Sequence, residues 1–312
     1  MRAVGVVEFG GPDALRVVEV PEPHAGPGEV RIRVHAATVN PTDTYIRNGA
    51  RADLTRDIPP PFVLGMDAAG VLDEIGDGAN TALQIGDRVM AITRPLGAHG
   101  AYAEWLVVPA ESVAASPVDS TDVEASTLPM NGLTARLTLD LLGLRAGESL
   151  AVTGAAGAYG GYVVQLAKAD GLRVIADAAA SDEALVRSLG ADVVVRRGDD
   201  VADRIRDAVP DGVDAVADGA LMDARILPAV RDGGGLAVVR GFAGETERGI
   251  VIHPVWVRDY LTAQAALDRL GRQAEAGAVT LRVAATFPPE RAADAHRQLE
   301  AGGTRGRLVI EF

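Results

Sequence analysis

The stretch SLAVTGAAGAYGGYVVQLAKADGLRVIADA, residues 149–178, decides the fold class of this chain. It reads as a short apolar strand, a glycine-rich turn, a helix that stops at Gly171, and a second strand. This order predicts a βαβ unit, because parallel strands need a crossover that a hairpin cannot make. Strands and helices go on alternating downstream, which predicts a parallel, doubly wound sheet of the α/β class.

The glycine-rich turn TGAAGAYGGY departs from the usual dinucleotide fingerprint, because Ala155 stands where the first glycine is expected. Gly154 could ease the turn instead, Gly157 would let the backbone approach a phosphate, and Gly160 would let the helix pack closely on the strand. The first amides of such a helix have no internal partner and favour an anion. The alternative is a glycine-rich bend without a ligand, but the βαβ surroundings favour a cofactor loop. Tyr159 either packs against the protein or faces the cofactor groove.

Composition narrows the function classes. The chain has 312 residues, enough for two domains, and a net charge of −13, which disfavours binding to nucleic acid or to an anionic membrane. It contains no cysteine, which excludes disulfides, thiolate zinc sites and a cysteine nucleophile. No signal peptide and no apolar run of about 18 residues is recognisable, so we expect a cytoplasmic protein.

The regions flanking the doubly wound part differ from it in pattern. EVRIRVHAATV, residues 29–39, and two later segments alternate like strands and predict a small β-rich domain. Near the end, a helix lies between two strand-like segments, and the closing strand RLVIEF could return to the first domain. We therefore predict domains at residues 1–120 and 121–260, with residues 261–312 completing the first.

Several segments together resemble the medium-chain dehydrogenase/reductase superfamily, in its zinc-free quinone oxidoreductase (zeta-crystallin-like) branch. They occur in the order of that family and cover nearly the whole chain. Besides the glycine loop, they are VNPTDTYIRNG (39–49), PFVLGMDAAGVLDEIG (61–76), GDRVMAI (86–92), GAYAEWLVVPA (100–110), TLPMNGLTA (127–135), LGADVVV and AHRQLEAGGTRGRLVI.

The resemblance implies a GroES-like β-rich catalytic domain interrupted by a Rossmann domain. In this family the loop commonly reads AAxGGVG, so Ala155 fits it, while Ala158 and Tyr159 depart from it. Family members usually form homodimers by pairing Rossmann edge strands, and GIVIHPVWV, residues 249–257, is the candidate edge.

A metal site is not expected. The zinc-dependent relatives carry a cysteine near VNPTD and a His-Glu pair after the glycine that corresponds to Gly65, where this chain has Met66 and Asp67. The histidines share no ligand spacing. We interpret His99 as structural, with a position near the substrate as the alternative.

The residues that determine the preference for NADPH or NADH should follow the second and third strands of the Rossmann unit. Asp177 could bind the ribose hydroxyls of NADH, whereas Arg196 and Arg197 suit a 2′-phosphate and Ser181 could add a hydroxyl. The arginines could equally be a solvated pair. We favour NADPH, with NADH possible.

By resemblance, Asn40, Asp43 and Tyr45 are the catalytic residues beside the nicotinamide, and Asn40 or Tyr45 could hydrogen-bond the acceptor oxygen. Arg47 could bind the acceptor or a phosphate, or be a surface cation. Asp67 could pair with Arg47 or only hold the geometry of its loop. The remaining cofactor residues are implied by the family or by their place after a strand: Asn131, Thr134, Gly154, Ala155, Ala156, Gly157, Ala158, Tyr159, Gly160, Gly219, Gly241 and Phe242.

The resemblance thus predicts a zinc-independent, NADPH-dependent oxidoreductase that transfers hydride to a quinone or to an α,β-unsaturated carbonyl compound. Two alternatives stay open: an enoyl reductase of a biosynthetic pathway and a non-catalytic NADPH-binding protein.

Overall fold

The computed structural model describes residues 1–312, apart from the side chain of Leu54. The strands are β1 Arg2–Val6, β2 Arg16–Glu19, β3 Glu29–Thr38, β4 Phe62–Val63, β5 Asp67–Ile75, β6 Arg88–Ile92, β7 Trp105–Pro109, β8 Val113–Ala115, β9 Ser149–Thr153, β10 Arg173–Ala178, β11 Val193–Arg196, β12 Val213–Asp218, β13 Val230–Val238, β14 Val251–Pro254, β15 Val283–Phe287 and β16 Arg307–Glu311. The helices are α1 Pro41–Arg47, α2 Asp122–Ala125, α3 Pro129–Leu142, α4 Ala158–Ala169, α5 Glu183–Ser188, α6 Val201–Ala208, α7 Gln264–Glu275 and α8 Ala292–Ala301.

The chain forms two compact units. The first unit comprises Met1–Met130, Leu261–Ala276 and Leu281–Phe312, and the second comprises Asn131–Tyr260 and Gly277–Thr280. The predicted domain boundaries at residues 120 and 260 stay a prediction.

The second unit is built on a six-stranded parallel sheet with the order β11-β10-β9-β12-β13-β14. This is the doubly wound order expected from the sequence, and the direction of winding reverses between β9 and β12. The central strand β9 is buried along its whole length, because helices cover both faces of such a sheet. The predicted edge segment contributes β14, the outermost strand.

The first unit is β-rich, as predicted. It contains a three-stranded sheet, β2-β1-β4, and a larger sheet, β15-β16-β3-β5-β6-β8, in which β7 also pairs with β3. Along β3 the residues alternate between buried and more exposed, because one face of the strand packs on the core. The predicted return of the last strand is confirmed, since β16 pairs antiparallel with β3, with Val309 opposite Thr38.

Two helical patterns of the sequence begin later in the structure than in the pattern. SDEALVRSLG, residues 181–190, predicts a helix capped by Ser181, but Ser181 lies inside the 3-10 turn Ala180–Asp182, and α5 begins only at Glu183. RDYLTAQAALDRLGRQAEAG, residues 258–277, predicts one helix, yet Val257–Tyr260 forms a separate 3-10 turn and α7 starts at Gln264. Among the described residues, no helix combines the length and apolar composition that crossing a bilayer requires.

Candidate cofactor loop and buried polar cluster

The glycine loop follows β9 and leads into α4. Gly154 takes a left-handed backbone conformation with φ +67°, which costs glycine little. Gly157 precedes the first residue of α4. A Cβ on Gly160 would lie 2.4 Å from the carbonyl oxygen of Gly154, so only glycine lets the helix pack this closely on the loop. Gly154 and Gly160 therefore have the structural roles expected of them.

The loop residues present fit a pyrophosphate group. Ala155 and Ala156 are buried, and Gly157, Ala158 and Tyr159 are partly exposed at the N-terminus of α4. The amides of this first turn have no carbonyl partner within the helix, and the helix dipole places positive charge there. An anion at this point would be held by main-chain amides rather than by a cation.

Tyr159 packs against the protein through its hydroxyl. The hydroxyl lies 2.8 Å from Oγ1 of Thr138 on α3, and Thr138 in turn donates to the carbonyl oxygen of Thr134. A Cβ on Gly219 would lie 3.0 Å from the Tyr159 ring. Of the two interpretations of Tyr159, packing is therefore the one the contacts support, although the residue stays partly exposed.

The carboxyl ends of β10 and β11 bring Asp177 and the two arginines together. Ala178 pairs with Arg196, and the amide of Arg197 donates to the carbonyl oxygen of Ala178 at 2.8 Å. Asp177 is only 7% exposed, and its carboxylate accepts the amide of Ala155 at 3.1 Å. Burial raises the pKa of Asp177, while the loop amides and Arg197 oppose the rise. Both arginines are exposed.

Asp177 thus contacts the glycine loop itself. Its binding of ribose stays a prediction, as does that of the other predicted cofactor residues. Ser181 is exposed. Asn131 and Thr134 lie buried on α3, and Gly241, with φ +84°, and the partly buried Phe242 follow β13.

In the first unit, Asn40 and Asp43 lie at the start of α1 and are fully buried. The Asp43 carboxylate accepts three neutral donors: the amide of Asn40 at 2.8 Å, the amide of Gly65 at 3.1 Å and the hydroxyl of Tyr102 at 2.9 Å. Burial raises the pKa of Asp43 to about 7, and these hydrogen bonds limit the rise.

A chain of hydrogen bonds extends from Arg47 to Asp43. Arg47 donates to Nδ1 of His296 at 3.2 Å, and Nε2 of His296 lies 3.4 Å from the hydroxyl of Tyr102. Because Arg47 can only donate, Nδ1 must accept, and the histidine proton is on Nε2. Burial and Arg47 lower the pKa of His296 to about 3, so the ring is neutral. Every donor in the chain points towards the Asp43 carboxylate.

Asp67 has a cation as partner. Arg307 contacts its carboxylate at 3.2 Å, and both side chains are buried. Asn40 bridges the pair, because its Nδ2 donates to Asp67 at 2.7 Å and its Oδ1 accepts from Arg307. These two partners fix which end of the Asn40 amide is oxygen. Burial raises the pKa of Asp67, and Arg307 and Asn40 lower it.

Four interpretations change with this geometry, those of Asn40, Asp43, Arg47 and Asp67, since Asp67 pairs with Arg307 and not with Arg47. Asn40 and Asp43 are enclosed and fully engaged, so their contacts favour a positioning role over direct contact with an acceptor. The interpretation of Arg47 as a surface cation was wrong: it is 2% exposed and contacts His296, Glu300 and the carbonyl oxygen of Gly10, and its binding of an acceptor or a phosphate stays a prediction. Tyr45, one turn along α1, is partly exposed.

The contact of His99 supports its structural interpretation. Nε2 of His99 lies 2.7 Å from the carbonyl oxygen of Val107, a bond that ties two segments of the first unit. Among the described residues, no group of three or more His, Cys, Asp and Glu is arranged to hold a metal ion.

Two family models match the chain. An alcohol dehydrogenase GroES-like domain matches residues 26–118, and a zinc-binding dehydrogenase domain matches residues 189–310. A quinone oxidoreductase of Mus musculus is 30% identical over 344 residues, which cover 99% of this chain and 97% of that protein. A 2-haloacrylate reductase of a Burkholderia species is 31% identical over 324 residues, with 96% of each protein covered.

The chain belongs to the quinone oxidoreductase branch of the medium-chain dehydrogenase/reductase superfamily. It is an oxidoreductase with a GroES-like and a Rossmann part. Two solved structures match all of this chain over their full length, each with 30% identity and a TM-score of 0.87: a mycobacterial protein complexed with NADPH and an NAD-dependent alcohol dehydrogenase.

Sequence reasoning missed the partners of the buried residues in this family member. Tyr102, His296 and Arg307 all lie within segments that carried the resemblance, but nothing in their spacing indicates that they meet Asp43 or Asp67. Thr153 and Asp218 were also missed, although each is the last residue of a strand before a glycine, which is a usable signal.

Proposed function

We propose that this protein is a zinc-independent, NADPH-dependent oxidoreductase that transfers hydride to a quinone or an α,β-unsaturated carbonyl compound. The observation that carries the proposal is the glycine loop at the reversal point of the doubly wound sheet, in a chain similar over its whole length to quinone oxidoreductases. The similarity to a 2-haloacrylate reductase supports the second acceptor class.

The chain's own residues would divide the work as follows. The amides at the start of α4 would hold the pyrophosphate, and Asp177 would keep the loop in place through Ala155. When bound, the nicotinamide cofactor supplies the hydride. The hydroxyl of Tyr45 would hydrogen-bond the acceptor oxygen as negative charge develops on it. Asn40 and Asp43 would position the segment that carries Tyr45.

The activity test follows oxidation of NADPH and NADH against benzoquinones, enones and enoyl thioesters. We expect turnover of a quinone or an enone, and metal analysis should find no stoichiometric zinc in the active protein. Oxidation of NADPH or NADH with enoyl thioesters as the only accepted substrates would favour the biosynthetic enoyl reductase. Cofactor binding with no turnover on any acceptor would rule out the reductase.

Arg196 and Arg197 would select NADPH by pairing with its 2′-phosphate. Neither guanidinium forms an ion pair with a carboxylate among the described residues, so both are available. Replacing both by alanine should weaken NADPH binding by about tenfold or more and leave NADH binding nearly unchanged. Equal losses for the two cofactors would refute the assignment. Arg187→Ala, on the neighbouring helix α5, is the matched control.

A homodimer formed by antiparallel pairing of β14 with its copy also belongs to this proposal. Strand β14 ends the sheet, and Val251 on it is 52% exposed. Light scattering should give a dimer, and Val251→Lys should shift the population towards monomer. A monomeric wild-type protein at micromolar concentration would contradict the pairing.

A further inference from the structure

The turn after β12 holds two residues that are not glycine in a left-handed conformation. Leu221 has φ 58° and Asp223 has φ 51°. A branched, bulky residue such as leucine rarely adopts this conformation, because its Cβ approaches the backbone too closely. Such strain persists only where the surrounding structure enforces it, and it concentrates at functional sites.

Asp218, the last residue of β12, supplies the enforcing contacts. Its side chain is 1% exposed, and one oxygen accepts the amide of Ala220 at 3.2 Å while the other accepts the amide of Asp223 at 2.9 Å. These two amides flank Leu221. The same carboxylate also accepts the hydroxyl of Thr153 at 2.6 Å. Asp218 therefore clamps both ends of the strained segment.

Thr153 extends the clamp to the neighbouring strand. It is the last residue of β9, and its Oγ1 also accepts the amide of Ala220 at 3.1 Å. The bond between Thr153 and Asp218 thus spans the two strands at which the winding of the sheet reverses. In sheets of this kind, ligands bind beyond the carboxyl ends of the strands at this reversal point.

The clamped turn lies directly against the glycine loop. A Cβ on Gly154 would be 3.0 Å from the carbonyl carbon of Gly219, and the amide of Gly219 donates to the carbonyl oxygen of Thr153 at 3.2 Å. With backbones this close, movement of the turn would either leave a gap beside the loop or displace Gly154.

The other end of the same two strands provides an internal control. Asp214, near the start of β12, accepts the amide and the hydroxyl of Ser149, the first residue of β9, both at 2.7 Å. The two strands are therefore bridged by an aspartate and a hydroxyl residue at both ends. The Asp214 bridge lies at the amino ends of the strands, away from the glycine loop, and among the described residues no left-handed residue other than glycine adjoins it.

We propose that Asp218 is a positioning residue for the cofactor: acting with Thr153, it holds the strained turn at Leu221 beside the glycine loop and so sets the affinity for the dinucleotide. The inference rests on the proposed cofactor function. It goes beyond that function by assigning the task to two buried side chains, whose hydrogen bonds join them to each other and to the turn.

The test compares Asp218→Asn with Asp214→Asn. The dissociation constants of NADPH and NADH are measured by nicotinamide fluorescence, and the unfolding midpoint of each variant by circular dichroism. We expect both variants to unfold at a lower temperature than wild type. Only Asp218→Asn should weaken binding of the preferred cofactor, by tenfold or more, with Asp214→Asn within about threefold of wild type.

A rescue separates positioning from general destabilisation. Glycine adopts a left-handed conformation without strain, so Leu221→Gly in the Asp218→Asn background should restore at least half of the lost binding free energy. If Asp218→Asn does not fold, Thr153→Val against Ser149→Ala repeats the comparison, and only Thr153→Val should weaken binding.

The outcomes are distinct. Equal affinities for wild type and Asp218→Asn, equal losses in the two aspartate variants, or no recovery with Leu221→Gly would each overturn the positioning role. A wild-type protein that binds neither NADPH nor NADH would instead overturn the proposed function.

Discussion

Asp43 and Asp67 are both fully buried in the first unit, and both contact Asn40, yet they are stabilised in different ways. Asp67 has the guanidinium of Arg307 beside it, whereas the donors that contact Asp43 are two amides and a hydroxyl, all neutral. The difference lies in what opposes the effect of burial: Arg307 is the main influence that lowers the pKa of Asp67, whereas hydrogen bonds from neutral donors limit the pKa of Asp43, which burial raises to about 7.

The largest effect is expected from removing the cation of the Asp67 pair. Arg307→Met leaves Asp67 buried without its counter-charge and should lower the free energy of unfolding by about 3–5 kcal/mol. Urea unfolding measures the loss. In the matched variant Arg307→Met with Asp67→Asn, no charge is left unpaired, so most of the loss should disappear. A loss below about 1 kcal/mol for Arg307→Met would show that the pair behaves like an exposed one.

The next effect is a pH dependence that comes from Asp43. Its pKa in the folded protein is raised to about 7, so between about pH 4 and 7 the folded state binds more protons than the unfolded state. Its contribution to stability is therefore present at low pH and declines as pH rises, by up to about 1.4 kcal/mol per pH unit.

Urea unfolding between pH 4.5 and 8 tests this dependence, and Asp43→Asn should flatten the curve. Glu183→Gln is the control, because it removes an exposed carboxylate from an ion pair on α5 and should leave the slope unchanged. A curve that is equally steep with Asn at position 43 would assign the dependence to another group.

The smallest effect is expected from the hydroxyl of Tyr102. Tyr102→Phe removes one of the three donors to Asp43 and keeps the ring, so it should cost about 1–2 kcal/mol at neutral pH. It should also make ionisation of Asp43 harder and move the pH dependence upward. Tyr260→Phe, which breaks a more exposed bond to Asp140, should cost less. Equal losses of unfolding free energy in the two variants would mean that burial of the acceptor carboxylate does not strengthen the hydrogen bond.

The second unit was largely predictable because its signals are local. The strand, the glycine loop and the helix of residues 149–169 are contiguous, and each element has its own hydrophobic periodicity and its own boundary residues. The position of Gly219 after a strand was predicted from the same kind of local pattern. The bond between Thr153 and Asp218 was missed, because these residues are 65 positions apart and meet only where β9 and β12 are neighbours in the sheet.

The polar cluster of the first unit was predictable only in part. Asn40 and Asp43 were named from one family segment, but the hydroxyl that contacts Asp43 comes from 59 residues away and the arginine that contacts Asn40 from 267 residues away. Arg47 shows the consequence. On a helix beside the predicted catalytic residues it reads as a ligand for phosphate, yet the return of the C-terminal segment buries it against His296 and Glu300.

The sequence by itself determined the α/β class, the position of the glycine loop and the family, because these depend on short contiguous patterns and on their order along the chain. Only the tertiary structure decided which buried carboxylates lie beside a cation and which accept hydrogen bonds from neutral donors alone. It also decided that Leu221 takes a strained backbone conformation. Those properties depend on which distant segments become neighbours in a sheet, and on how completely that neighbourhood removes a charge from water.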